Sequence, residues 1–79
     1  MFDIKELVKI QMEIDGLDAL ENIGAEEKLV EHYSQPGHKK HLYLSIIETF
    51  FLKYFLTAPN KELELKMQLV REEYFKTFC

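Results

Sequence analysis

The chain has one cysteine in 79 residues, and it is Cys79. A single thiol excludes an internal disulfide and a cysteine-based zinc site, and a domain built without disulfides suits the reducing cytoplasm. Cys79 itself is expected to be an inert thiol on a frayed end. Serine is almost as scarce, with only Ser34 and Ser45, and neither sits in a glycine-flanked nucleophile motif. With three glycines in all, there is no glycine-rich phosphate loop. No residue therefore presents itself as catalytic or cofactor-binding, and the sequence points away from an enzyme.

Other absences narrow the class further. The first sixteen residues contain Asp3, Lys5, Glu6, Lys9, Glu13 and Asp15 where a secretory signal needs an uncharged core. The most apolar stretch, residues 42–56, falls short of the ~20 residues that span a bilayer and is interrupted by Glu48 and Lys53. A cytoplasmic protein with no membrane segment is expected. There is no strand-like alternation, internal repeat or low-complexity tract.

What the sequence does contain is helical periodicity. Asp3 followed by Glu6, with Phe2 before them, has the form of an acidic capping box. Ile4, Leu7, Val8, Ile10 and Ile14 then recur at helical spacing, which predicts a first helix to about Asp15 with Gly16 as its stop. If Gly16 is accommodated, that helix runs on to Asn22. Leu17, Leu20 and Ile23 step by three, enough for one or two helical turns with Asp18 as cap, and Gly24 separates them from AEEKLVEHY. Ser34-Gln35-Pro36-Gly37 is a clear break. A long helix is predicted from His38 or Lys39 to Thr57, ended by Ala58-Pro59-Asn60, with Asn60 able to cap the next. In that last helix Leu63, Met67, Val70, Tyr74 and Phe78 form a buried stripe, widened by Leu65, Leu69 and Phe75. The expected fold is all-α: residues 1–79 as one small bundle of three main helices plus one or two short ones, dimeric.

The dimer is inferred from apolar excess. Eleven of the fifteen residues in 42–56 are apolar, and a helix apolar nearly all round must be buried on most sides. A chain this short buries only about 60% of its unfolded surface and has few helices with which to cover it. Ile47, Phe50 and Tyr54 share one face; Leu44, Phe51 and Phe55 share another. A bundle fills one of them, and the other needs a second molecule. Leu44, Ile47, Phe51, Tyr54 and Phe55 are therefore the expected protein interface.

Charge is distributed unevenly around the formal net of −4. Residues 1–37 carry nine acids and three bases, and residues 38–79 carry five acids and seven bases. Glu13, Asp15, Asp18, Glu21, Glu26 and Glu27 form an expected acidic surface for a basic partner. The domain as a whole lacks the basic footprint of a nucleic-acid binder. The helix–turn–helix outline around Pro36-Gly37 would nevertheless put Lys39, Lys40, His41, Tyr43 and Ser45 on a recognition helix. Against duplex binding stand Glu26, Glu27 and Glu31 on the preceding helix.

Metal chemistry has two candidate clusters. His32, His38 and His41 lie within ten residues, but their spacing fits no established zinc or di-iron pattern, and Lys39 and Lys40 would repel a cation. Asp15, Asp18 and Glu21 are three apart and would line one side of an unbroken helix, a spacing at which acids can hold magnesium. The twelve residues LVKIQMEIDGLD around them resemble the opening helix of the all-α dimeric dUTPases. That resemblance would imply a magnesium-dependent hydrolase, but the two Glu-rich motifs expected on later helices are absent, with only Glu48 in the third. No metal or cofactor is therefore expected. The reading that emerges is a small non-enzymatic interaction protein of inhibitor, anti-activator or adaptor type, binding itself, a host protein or both, with a helix–turn–helix regulator and a metal-dependent hydrolase as alternatives.

Overall fold

The computed structural model describes residues 2–54 and 60–78. Within them lie four helices, α1 (Ile4–Ile14), α2 (Ile23–Tyr33), α3 (His38–Lys53) and α4 (Lys61–Phe78), and no strand. The all-α expectation holds, with four helices of at least eleven residues.

The first helix starts as its sequence dictates. The Asp3 carboxylate accepts from the Glu6 N–H at 2.8 Å, and the Glu6 carboxylate accepts from the Asp3 N–H at 3.0 Å. Two amides that lack intrahelical partners are thereby satisfied. Asp3→Ala should cost about 1 kcal/mol, read as a lower urea midpoint with an unchanged slope. Gly16 takes φ 77 and ends the helix, so it does not continue to Asn22. Residues 18–22 then make a single turn. Asp18 accepts from the Leu20 N–H through its side chain at 2.9 Å and from the Asn22 side-chain amide through its carbonyl at 2.8 Å.

The expected boundary at Gly24 is corrected by the structure, because α2 begins at Ile23 and carries Gly24 in its first turn. Glycine there costs only backbone entropy, about 1 kcal/mol. No side chain caps α2, and none of its residues is fully buried. The helix rests on the bundle through half-buried Leu29, Val30 and Tyr33. Gly37, at φ 84, turns the chain into α3, and Asn60 caps α4 by accepting from the Leu63 N–H at 2.8 Å. The expected end of the third helix at Thr57 lies outside the described residues.

The core draws more on α1 than on the most apolar segment. Helix α1 buries Leu7, Val8, Ile10, Gln11, Met12 and Ile14, more than half its length, and packs against both α2 and α3. Helix α3 buries only Leu42, Tyr43 and Ile46, and none of its last seven residues. Helix α4 adds Leu63, Met67 and Val70, with Tyr74 and Phe78 packed partly against them. Part of the aromatic population is explained here: the Tyr43 ring meets Phe78 edge-on at 5.5 Å between centroids, and Tyr74 lies 5.7 Å from Phe78.

One expectation for α4 is overturned. Leu65, Leu69 and Phe75 do not widen the buried stripe, since each is more than half exposed. At 100° per residue Leu65 and Leu69 fall opposite Met67 and Tyr74, and the bundle packs only one side of α4.

Two polar ties fix the helices relative to each other. Gln11, almost fully buried, accepts from the Ser45 hydroxyl at 2.9 Å and donates to Asp15 at 3.2 Å. Glu73 accepts from the Tyr43 hydroxyl at 2.8 Å and from the Phe2 N–H at 3.1 and 3.2 Å, joining α4 to α3 and to the residues before α1. Burial acts to raise the Glu73 carboxyl, but the bonds from Phe2 and Tyr43 and the charge of Lys39 prevail, holding it below the usual carboxylate range. Tyr43 is pushed well above its ordinary value, first by burial and then by the carboxylate it faces.

Candidate interaction surfaces

With the core closed by α1, α3 and α4, several large apolar side chains remain in solvent. The C-terminal half of α3 carries one group. Phe51 is 57% exposed and Leu52 81% exposed. Leu44, two turns earlier, is half-buried. Of the other residues expected at an interface, Ile47 and Tyr54 pack partly on the core, and Phe55 lies outside the described residues. The end of α3 is held in place by Lys53, whose ammonium donates to the Ile14 carbonyl at 2.8 Å. A cation at the C-terminus of α1 also complements the helix dipole.

A second apolar group surrounds the connection between α1 and α2. Leu17, Leu20 and Ile23 are all substantially exposed, Leu20 at 83%. Leu20 and Ile23, with Ala19 and half-buried Val30, line a groove of about 770 Å³. Lys5 and Lys9 of α1 flank it on one side; Glu26, Glu27 and Glu31 of α2 flank it on the other. The sequence signals the apolar part through the three-residue steps of Leu17, Leu20 and Ile23. It does not signal the groove, because that depends on Gly16 folding the segment back beside α2.

The six acidic residues expected to form one surface are distributed. Glu26 and Glu27 border this groove. Glu13 lies in a different cleft with Lys66, to which it is paired at 3.7 Å. Asp15 accepts from Gln11, Asp18 shapes the turn, and Glu21 is exposed. Since Gly16 breaks the helix, Asp15, Asp18 and Glu21 do not line one helical face.

The histidines do gather. The ring of His38 lies 5.0 Å from that of His32 and 5.9 Å from that of His41. Nδ1 of His38 is 3.1 Å from the His32 carbonyl oxygen, and because a carbonyl can only accept, this nitrogen donates. The row thus ties the α2–α3 turn. Among the described residues no group of three or more His, Cys, Asp or Glu side chains is arranged to hold a metal ion. Of the residues expected on a recognition helix, Tyr43 is buried and Ser45 is bonded to Gln11, which leaves half-buried Lys39 and exposed Lys40 and His41. No helix among the described residues is long and apolar enough to cross a membrane.

Compared with models of known protein families, with curated proteins and with solved structures, the chain matches none.

Proposed function

We propose that this chain is a non-enzymatic protein-interaction protein, working as an inhibitor, anti-activator or adaptor, and that Phe51 and Leu52 at the end of α3 are its anchor for a partner. The observation that supports this reading is the exposure of both near the end of a helix whose buried residues, Leu42, Tyr43 and Ile46, all precede them. Interface centres favour aromatic and large apolar side chains, and exposed apolar patches on small proteins mark interaction sites. Lys53, bonded to Ile14, and the half-buried Ile47 and Phe50 tie the same helix to the bundle. Its partner would offer an apolar pocket to receive the Phe51 ring.

A photo-crosslinking side chain at position 52, tested in cells of the source organism, should capture a defined partner. The same group at Gln68, exposed on α4, should not. Phe51→Asp should abolish the capture while leaving the melting temperature nearly unchanged, because substitutions at exposed positions usually stay within about 0.5 kcal/mol. Identical products from positions 52 and 68, or capture that survives Phe51→Asp, would defeat the proposal.

A further inference from the structure

The groove between α1 and α2 has a property that the α3 patch lacks: its two edges carry opposite charge. Lys5 and Lys9 stand one helical turn apart on α1, and Glu27 and Glu31 stand one turn apart on α2. Each pair spaces its charges about 6 Å apart along the helix. Among the described residues no ion pair engages Lys5, Lys9, Glu26, Glu27 or Glu31. The apolar lining of the groove is Ala19, Leu20, Ile23 and Val30, of which Leu20 and Ile23 are 83% and 58% exposed. One basic edge, one acidic edge and an apolar floor make a surface complementary to itself.

We infer that the α1–α2 groove is a self-association face, on which a second copy of the chain docks about a two-fold axis running along the groove. Rotation about that axis reverses the edges and keeps the floor. Lys5 and Lys9 of each copy then face Glu26, Glu27 and Glu31 of the other, while the exposed Leu20 and Ile23 are covered by the apolar lining of the partner groove. Such an isologous contact closes on itself and stops at a dimer. A two-fold across the groove would instead set like charge on like charge, so the edges also select the orientation. The apolar floor supplies affinity, and the exposed charge pairs make it sensitive to salt. This inference goes beyond the proposed partner site and is independent of it, since the two surfaces share no residue.

Sedimentation equilibrium on the full chain, from micromolar to millimolar concentration, tests it. The wild type should form a dimer that weakens at high salt. Leu20→Glu should weaken dimerisation by about tenfold or more with an unchanged far-ultraviolet spectrum and urea midpoint, since the side chain lies almost wholly in solvent. The double variants K5E/K9E and E27K/E31K should each be monomeric, one presenting two acidic edges and the other two basic ones. Mixed in equal amounts they should form a heterodimer. A monomer at every concentration would overturn the inference, as would a dimer indifferent to Leu20→Glu or a mixture of the two variants that stays monomeric. A dimer lost on Phe51→Asp but kept on Leu20→Glu would also overturn it, moving self-association to the end of α3.

Discussion

Ile46→Ala should lower the stability of this domain by about 3 kcal/mol, the range found for truncating a fully buried branched side chain. Ile46, near the middle of α3, is completely inaccessible. The shortened side chain removes three carbons from water-free contact and leaves a hole that three helices in register cannot collapse to fill. At roughly 0.05–0.15 kcal/mol per residue a 79-residue domain holds only about 4–12 kcal/mol in all, so the loss is a large share of the total. Thermal unfolding should shift down by about 12–24 °C, since each kcal/mol moves the midpoint of a domain this size by 4–8 °C. Leu52→Ala is the matched control. It deletes as much apolar volume on the same helix, but from a side chain 81% exposed, and should change stability by no more than about 0.5 kcal/mol. If Leu52→Ala proved as damaging as Ile46→Ala, the placement of the core would be wrong.

The second large effect concerns Glu73 and acid. Its carboxyl is held below the ordinary value of 4.5 in the folded protein, so folding favours the ionised form. The contribution is therefore fully present above about pH 4.5 and is lost as pH falls through the lower folded value. Glu73→Ala removes the acceptor of the Tyr43 hydroxyl, whose residue is 1% exposed, and of the Phe2 N–H. It should cost about 2–3 kcal/mol at neutral pH, in keeping with hydrogen bonds to a charged group. Glu73→Gln keeps an oxygen for Tyr43 but no ionisation, and should cost less while flattening the acid limb of the stability curve. Urea midpoints measured from pH 7 down to pH 3 for the three proteins would decide it. Parallel curves for wild type and Glu73→Gln would remove Glu73 as the source of acid sensitivity.

The legible parts of the fold were those set by neighbours in sequence. The Asp3–Glu6 box, the stop at Gly16, the turn at Gly37 and the cap at Asn60 each depend on a few adjacent residues, and each lies where local chemistry puts it. The four-three-four-four steps of the α4 stripe were equally plain. Illegible were the features that depend on which helices are neighbours in space. Leu65, Leu69 and Phe75 read as core because every apolar residue of a bundle helix can be core until the number of packing partners is known. Residues 42–56 were expected to be buried on most sides because they are the most apolar, yet α1 buries more of its length than α3 does. It does so while burying Gln11, whose partner Ser45 lies 34 residues away. The same limit applies to the Tyr43–Glu73 pair, which no spacing rule connects.

For the candidate surfaces the division is similar. Apolar excess in the second half of α3 could be read directly, and Phe51 and Leu52 there are more than half exposed. The expected partition of faces was less informative about Ile47 and Tyr54, which the fold draws against the core. The groove beside α2 was hidden because its basic and acidic edges come from segments separated by a glycine turn. Individually, Lys5, Lys9, Glu27 and Glu31 look like any solvated helix charges.

The bond from Phe2 to Glu73 spans 71 positions along the chain. In an unfolded polymer, closing a loop of that length costs about 4 kcal/mol of entropy, more than one charged hydrogen bond returns. The contact is therefore expected to form late, once the helices have condensed and shortened the path between its ends. In kinetic terms it is expected to act as a latch absent from the folding nucleus, which the folding and unfolding rates of Glu73→Ala would check. Losing it should speed escape from the native state while leaving the rate of folding nearly untouched, so this carboxylate would govern the lifetime of the folded molecule more than the speed at which it is made.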